Sequence, residues 1–252
     1  MLKKIILLGW LFCMTHSAFA QRSAFISIDG FVVPVDQLVM HDSIIAGRVS
    51  YSAAFVISAS GDPAFQSLLT ALQRGNATVS VFWTRTGNVF TERQYKSVNV
   101  LQLQFSKFDA ASRSLLKAEV KLRSPQVSET ANAKLEYKNP RNPAFMSSNF
   151  SVTLDGLPTD RLVTVSGLEL KNNSLCSFEI SARDIDAWYN WLNSPLKKLN
   201  GGIVLLAPNL RDRLATFKLA NVELVSLTQN ITTNDSNLER FTVVVRLGTI
   251  SW

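Results

Sequence analysis

The sequence predicts a mainly β fold, with two tandem β-barrel or β-sandwich domains that each carry one short α-helix. Short runs alternate between apolar and polar residues, as expected for strands with one buried face. Turn-forming residues separate these runs at short intervals. Two helix-like segments interrupt the runs, one in each half, and the order of strands around them is similar. These three observations favour two copies of one β-rich unit.

Residues 1–20 have the pattern of a secretory signal peptide. Lys3 and Lys4 precede an apolar run, and small residues at 18 and 20 mark a cleavage site. We therefore expect an exported mature chain that begins at Gln21 and resides in the periplasm, at the cell surface or outside the cell. No later run is apolar for the length that a membrane helix needs, so we expect no membrane span in the mature chain.

The charge of the chain is mildly basic, at +7 for the full sequence. Without Lys3 and Lys4, 24 of the 26 basic residues would remain against 19 acidic ones, which is a net charge of +5. The basic residues are scattered and do not alternate with aromatic residues, so no nucleic-acid-binding face is expected.

Residues 21–123 form the first predicted domain. Asp29-Gly30 lies between alternating runs and predicts a hairpin, and Pro34 places the second strand at a sheet edge or a bend. Asp62-Pro63 predicts the start of a helix. Its apolar face comprises positions i, i+3, i+4 and i+7, which are Phe65, Leu68, Leu69 and Leu72. The other strands predicted in this half cover 37–45, 48–58, 78–83, 95–107 and 115–123, with a turn over 84–92.

Residues 124–148 differ in composition from both flanks. They contain prolines at 125, 140 and 143 and few apolar residues. This composition predicts a linker or an extended loop, with a short strand at 133–137 as an option.

Residues 149–252 form the second predicted domain. Its strands are predicted at 150–154, 161–171, 175–181, 203–206, 215–225 and 241–247, with Asp155-Gly156 and Gly201-Gly202 as turns. The predicted helix has Ser181 or Asp184 as its cap.

The aromatic residues of this second helix follow the same apolar spacing as the first. Ile185, Trp188, Tyr189 and Leu192 lie at i, i+3, i+4 and i+7. Trp188 and Tyr189 are therefore expected in the core, whereas Trp191 falls off that face and is free to contact a neighbouring subunit.

Several features recur in the two halves at nearly constant spacing. They are Asp29-Gly30 with Asp155-Gly156, Asn99-Val100 with Asn221-Val222, 119–122 with 244–247, and the four apolar helix positions. The order, type and helix phase of the elements repeat, which favours a tandem duplication. Because the sequence identity is low, chance similarity between two β-rich halves is the alternative.

The mature chain contains one histidine and one cysteine, which limits its chemistry. His41 precedes Asp42, but neighbours along a strand point to opposite faces and cannot form a catalytic relay. Cys176 lies in an apolar run and predicts a buried, inert thiol, with a disulfide to another chain as the alternative. One His and one Cys do not make a zinc site. We therefore predict no catalytic, cofactor-binding or metal-binding residues and a protein that is not an enzyme.

Four stretches of the second half resemble the tail-tube proteins of contractile phages and the Hcp tube of type VI secretion. They are Phe150-Ser-Val-Thr-Leu-Asp-Gly156, Val163-Thr-Val-Ser-Gly-Leu-Glu169, Trp188-Tyr-Asn-Trp191 and Phe217-Lys-Leu-Ala-Asn-Val222. The first half is similar more loosely, at 28–30, 65–72 and 97–100. The resemblance implies a β-barrel flanked by one helix, with six such domains closing a ring and rings stacking into a hollow tube. For a tandem duplication it implies three chains in a pseudo-sixfold ring.

The resemblance also implies where subunits meet, because the family uses the segment after its second strand to contact neighbours. That segment is 44–49 in the first half and 168–174 in the second. Trp191, off the buried helix face, and the terminal Trp252, which could dock on the barrel or on another subunit, are added. The candidate interface residues are Ile44, Ile45, Arg48, Val49, Leu168, Leu170, Lys171, Trp191 and Trp252. We expect an exported structural protein whose partners are copies of itself, with envelope or secretion-assembly proteins as further candidates. The alternative is a monomeric periplasmic or cell-surface module that binds a protein or a glycan.

Overall fold

The computed structural model describes residues 24–45, 48–74, 77–86, 89–135, 144–194, 198–230 and 239–252. These residues form a mainly β fold with three sheets, one of them a nearly closed barrel, and two short helices. The predicted fold class is confirmed. The predicted signal peptide, with Cys13, lies outside the described residues.

The chain begins with the hairpin that its turn predicts. β1 (Ala24–Ile28) and β2 (Phe31–Val35) are antiparallel, with Ile28 opposite Phe31. Between them, Asp29 and Gly30 have φ angles of 51° and 83°. A two-residue turn with positive φ at both positions matches the twist of the flanking strands. β2 is the outermost strand of its sheet, where the exposed Pro34 is tolerated as predicted.

The remaining elements of the first half follow in the predicted order, with two strands, β8 and β10, that were not predicted. They are β3 (Gln37–Ile45), β4 (Arg48–Ser58), helix α1 (Pro63–Arg74), β5 (Val79–Thr86), β6 (Val89–Lys96), β7 (Asn99–Phe105), β8 (Phe108–Asp109), β9 (Lys117–Ser124) and β10 (Gln126–Ala133). β3 and β4 have the predicted bounds. α1 buries Phe65, Leu68 and Leu69, as its spacing predicts; the side chain of Leu72 lies outside the description.

Two predictions for this half are wrong in detail. The turn expected over 84–92 is shorter, because β5 continues to Thr86 and β6 starts at Val89. The single strand expected over 95–107 is divided into β6 and β7. Ser97 has a φ of 53° between them, which ends the extended conformation.

The segment 124–148 is not a free linker where the structure describes it. β10 lies within this segment and pairs with β6 along its length. Phe145 is 1% exposed, and its carbonyl accepts a hydrogen bond from the Leu116 N–H at 2.7 Å. The chain therefore packs against the first half on both sides of 136–143, which lies outside the described residues. The division into domains at 21–123 and 149–252 stays a prediction.

The second half has fewer strands, one of which, β15, is 18 residues long. Its elements are β11 (Phe150–Leu154), β12 (Thr164–Ser166), β13 (Ser174–Ser181), a 3-10 turn (Ala182–Asp184), helix α2 (Ile185–Asn193), β14 (Lys198–Leu206), β15 (Arg213–Asn230), β16 (Arg240–Leu247) and β17 (Thr249–Ser251). Of the strand pair predicted over 161–171, β12 is the regular part. β14 starts five residues before its predicted bound and ends at the predicted residue, whereas β15 extends beyond its predicted bounds at both ends.

Gly201-Gly202 lies inside β14, so the predicted turn is wrong. Gly201 is opposite Leu154 of β11. A Cβ atom built on Gly201 would lie 2.0 Å from the carbonyl oxygen of Thr153. The glycine is therefore required by the close approach of β11 rather than by chain reversal.

The buried face of α2 differs from the prediction. Trp188 and Trp191 are 0% and 6% exposed, whereas Tyr189 and Leu192 are 43% and 39% exposed. The rings of Trp188 and Trp191 meet edge to face, with centroids 5.9 Å apart. Burying Trp191 with Trp188 removes more apolar area from water than burying Tyr189 with Trp188, and it leaves the polar Tyr189 partly in solvent.

The N-terminus of this helical region is capped by Ser181. Its Oγ accepts from the Arg183 N–H at 3.3 Å, while Asp184 makes no capping bond with its side chain. Of the two predicted caps, Ser181 is therefore the one found, and it caps the 3-10 turn that leads into α2.

Strand pairing repeats between the two halves. Six strand pairs of the first half have counterparts in the second. β1–β5 corresponds to β11–β14, β3–β4 to β12–β13, and β4–β9 to β13–β16. β5–β6 corresponds to β14–β15, β7–β9 to β15–β16, and β6–β10 to β15–β17. The long β15 thus corresponds to β6 and β7 in series. This agreement in topology supports the interpretation that the halves are two copies of one unit.

The barrel of the second half includes a strand from the first. The eight-stranded sheet ends with β12 pairing β8, where Val165 lies opposite Phe108. The two ends of this sheet meet, because the Phe108 ring lies 5.6 Å from that of Phe150 on β11. Phe105 contacts Phe217 in the same way, at 5.3 Å. The hydrophobic core is therefore continuous between the halves.

Candidate functional site

The β3–β4 hairpin continues past the body of the fold as a two-stranded arm. β4 pairs with β9 from Ser58 to Tyr51, and Tyr51 lies opposite Ser124, the last residue of β9. The chain then turns into β10, which pairs with β6 instead. Among the described residues, β4 beyond this point pairs with β3 alone. We call residues 43–45 and 48–50 the arm; its tip, 46–47, lies outside the described residues.

The arm exposes apolar side chains on the face that is buried elsewhere in the hairpin. Alternate residues of a strand share a face, so Val49 lies on the same face of β4 as Ala53 and Phe55. Ala53 and Phe55 are 3% and 1% exposed. Ile44 and Val49 lie directly opposite each other and are 75% and 48% exposed. The core-facing surface therefore extends beyond the core and is uncovered there.

An ionic contact fixes the base of the arm to the body. Nη2 of Arg93, on β6, donates to both carboxylate oxygens of Asp42 at 2.8 and 2.7 Å. Its Nε lies 3.5 Å from the carboxylate of Glu129 on β10. The guanidinium group stacks on Tyr51, 5.5 Å from the ring centroid. These contacts hold the arm in one direction, because a buried guanidinium requires its partners.

Burial and charge set the protonation states at this base. Burial opposes the charge of Arg93, but its hydrogen bond to Asp42 and the nearby Tyr95, Asp42 and Glu129 side chains outweigh this effect, so the Arg93 pKa is raised. Burial raises the pKa of Tyr95 to about 12, against the opposing effect of Arg93. Both side chains therefore keep their protons throughout the physiological pH range.

The second predicted interface segment lies against the first half of the same chain. Leu168 and Leu170 are 0% and 4% exposed. The Leu168 carbonyl accepts from the Phe105 N–H at 2.9 Å, and the Leu170 N–H donates to the Leu103 carbonyl at 2.8 Å. These two leucines belong to the core of the chain, and the contact they make is between its halves.

The other predicted interface residues occupy different environments. Trp191 is in the core, which corrects its expected position off the buried face. Lys171 is exposed, and Trp252 is half-buried beside Leu101 and Leu170 around a cavity of about 340 Å³. The side chains of Ile45 and Arg48 lie outside the description. Of the nine residues, the structure brings Ile44 and Val49 together as an exposed apolar pair; whether any of the nine contacts a partner stays a prediction.

The candidate chemical residues lie apart. His41 is exposed on β3, and Cys176 is buried on β13 as a free thiol. Burial raises the pKa of Cys176 to about 12, which leaves the thiol protonated and unreactive at neutral pH. In the parts of the chain that the structure describes, no three His, Cys, Asp or Glu residues are grouped to hold a metal. Neither described helix is long and apolar enough to cross a membrane.

Two features of this site were not found by sequence reasoning. Arg93 is far from Asp42 in the chain, and no local pattern links them. The outer edge of β7 accepts residues 168–170 because of tertiary packing, which periodicity does not report. The signal that could have suggested the arm is the length of the two hairpin strands, nine residues in β3 and eleven in β4, against eight in the neighbouring β9.

Comparison with known proteins adds no relative. No protein-family model matches the chain, and no curated protein matches it. The fold and the site define a class of protein: a mainly β protein whose strand pairing recurs in its two halves and whose β3–β4 hairpin ends in an uncovered arm.

Proposed function

We propose that the chain is an exported, non-enzymatic structural protein that assembles with copies of itself through the arm. The single observation that carries this proposal is the pair Ile44 and Val49, exposed on the side of the hairpin that is buried elsewhere. Exposed apolar surface on an unpaired strand edge is a template for association. The long β3 offers such an edge next to the apolar pair.

The internal repeat gives the assembly its form in this proposal. Each chain has two similar units joined side by side. If chains join to each other as the two units join within a chain, successive chains can close a ring. The resemblance to phage tail-tube and Hcp subunits suggests three chains in a pseudo-sixfold ring, and stacking of rings into a tube. Envelope or secretion-assembly proteins would then be the further partners.

The ionic contacts at the base of the arm favour an interface that is already formed in the free subunit over one that becomes ordered on association. Arg93, Asp42 and Glu129 hold the hairpin before any partner arrives. A pre-positioned strand loses little conformational freedom on association, so more of the contact energy appears as affinity.

Carboxylates on the arm test this proposal. In a double variant, Ile44→Asp with Val49→Asp, each subunit would have to bury two charges, so we expect dissociation to increase at least about a hundredfold. Val89→Asp is the matched control, because Val89 is an apolar residue at another hairpin end and is 52% exposed. Light scattering on the three proteins gives their masses.

The proposal expects an oligomer for the wild type and the control, and a monomer for the arm variant. Equal dissociation of the control and the arm variant would show that the arm is not the interface. A wild type that binds another protein through the arm but never itself would favour the monomeric binding module.

A further inference from the structure

Within the chain, the contact between the halves is made by strand addition. Residues 168–170 lie along the outer edge of β7, with Gln104 opposite Glu169 in an antiparallel bridge. The bonds of this pairing join Phe105 to Leu168 and Leu103 to Leu170. β7 therefore has β9 on one side and a segment of the second half on the other.

The counterpart of β7 in the second half is the last part of β15. Phe105 on β7 lies opposite Ala118 of β9, and Leu227 on β15 lies opposite Val243 of β16, which corresponds to β9. Both strands also carry a register shift of one residue, between 100 and 102 in β7 and, two residues further along the unit, between 224 and 226 in β15. The two edges are therefore similar in their pairing, with the bulge at a different position in each.

The counterpart edge on β15 is unpaired. β14 pairs with β15 only as far as Glu223, opposite Lys198. From Leu224 to Asn230, β15 pairs with β16 on one side and with no other strand among the described residues. Val225 is 45% exposed on this stretch. We call residues 224–230 the open edge.

The counterpart of residues 168–170 is the arm. Residues 168–170 follow β12, which pairs with β13 as β3 pairs with β4. In the second half the chain leaves this hairpin after Ser166 and lies on β7. In the first half the hairpin continues into the arm, which pairs with no further strand among the described residues.

We infer that the arm of one chain pairs with the open edge of a second copy, repeating between chains the contact that joins the halves within a chain. This inference rests on the proposed self-assembly and names its acceptor. The two surfaces are different, so the contact is head to tail, and successive chains add in one direction until a ring closes. Backbone bonds along β15 would supply the pairing, and Ile44 and Val49 the apolar contact.

Cross-linking of mixed chains tests the polarity of the contact. One protein carries Ser43→Cys on the arm and the other Gln229→Cys on the open edge, each produced as residues 21–252, in which the remaining cysteine, Cys176, is buried. A short bis-maleimide should join the two different chains and should not join two copies of either one. Cross-links between two arms, or none in an oligomer, would overturn the inference while leaving the proposed self-assembly in place.

Removal of one edge donor supplies a second readout. The Phe105 N–H points to the outer edge of β7, so by alternation the N–H groups of Leu227 and Gln229 point to the open edge. Gln229→Pro should weaken assembly about tenfold without altering the pairing to β16. Val225→Lys serves as a second variant if proline disturbs β15, and Leu175→Lys, exposed on β13, as the control.

The two possible failures are distinguishable. An oligomer unaffected by both edge variants would overturn the open edge as acceptor and leave the proposed function standing. A wild type that stays monomeric at every concentration would overturn the proposed function and this inference together.

Discussion

Two adjacent aromatic residues of α2 have opposite roles. Trp188 is fully buried against Phe178, with ring centroids 6.4 Å apart. Tyr189, the next residue, is 43% exposed. The helical spacing alone placed both on one face, and the packing of Trp191 onto Trp188 decides between the two possible faces.

Alanine substitution at Trp188 and at Tyr189 should have clearly different effects on the free energy of unfolding. Trp188→Ala removes a large buried ring and should lower the free energy of unfolding by about 3–5 kcal/mol. Tyr189→Ala should lower it by less than about 1 kcal/mol, because its side chain is largely in water already. Urea unfolding followed by circular dichroism measures both. Similar losses for the two variants would contradict the assigned face.

Buried ionisable groups make the fold sensitive to alkali. Burial raises the pKa of Cys176 from 9.0 to about 12, and that of Tyr95 from 10.0 to about 12. The unfolded chain therefore loses these protons first, and stability that is fully present below pH about 9 is lost as the pH approaches 12.

The free energy of unfolding should thus fall between pH 8 and pH 10.5, and fall less in a Cys176→Ala, Tyr95→Phe double variant. Because the Tyr95 hydroxyl has no hydrogen-bond partner among the described residues, the tyrosine change should cost little by itself. A thiol reagent at pH 8 should leave Cys176 unmodified until urea is added. Rapid modification of the native chain would show that this region opens.

At the scale of elements, local signals predicted much of the fold. The Asp29-Gly30 turn, β3, β4 and the buried face of α1 follow from hydrophobic alternation, turn chemistry and helical spacing. Gly201-Gly202 was assigned wrongly, since a glycine required by a neighbouring strand looks in sequence like a turn. β8, the site of residues 168–170 and the Arg93 anchor depend on residues distant in the chain, so no local pattern contains them.

The dependence of the second barrel on β8 can be tested with fragments. Residues 149–252 alone lack β8 and the contacts of Phe105 and Phe108 with the second half. We expect this fragment to aggregate or to unfold at lower urea than the full chain. Co-expression with residues 21–148 should recover a soluble complex, and Phe108→Ala in that fragment should reduce the recovery. A fragment 149–252 that folds with the stability of the full chain would contradict the shared barrel.

At the scale of the whole molecule, one pattern of strand pairing occurs twice with different outcomes. In the second half, residues 168–170 lie on β7 of the first half, and the contact is buried within the chain. The first half leaves the corresponding hairpin uncovered, with Ile44 and Val49 exposed beside the long edge of β3. The asymmetry between the halves is what we propose drives assembly.

The mass of residues 21–252 in solution tests this account most directly. Multi-angle light scattering across low to high micromolar concentrations should give a multiple of the mass of one chain, with three chains as the smallest closed ring or stacks of it. Negative-stain images should show the same particles as rings. A single-chain mass at the highest concentration would contradict the account.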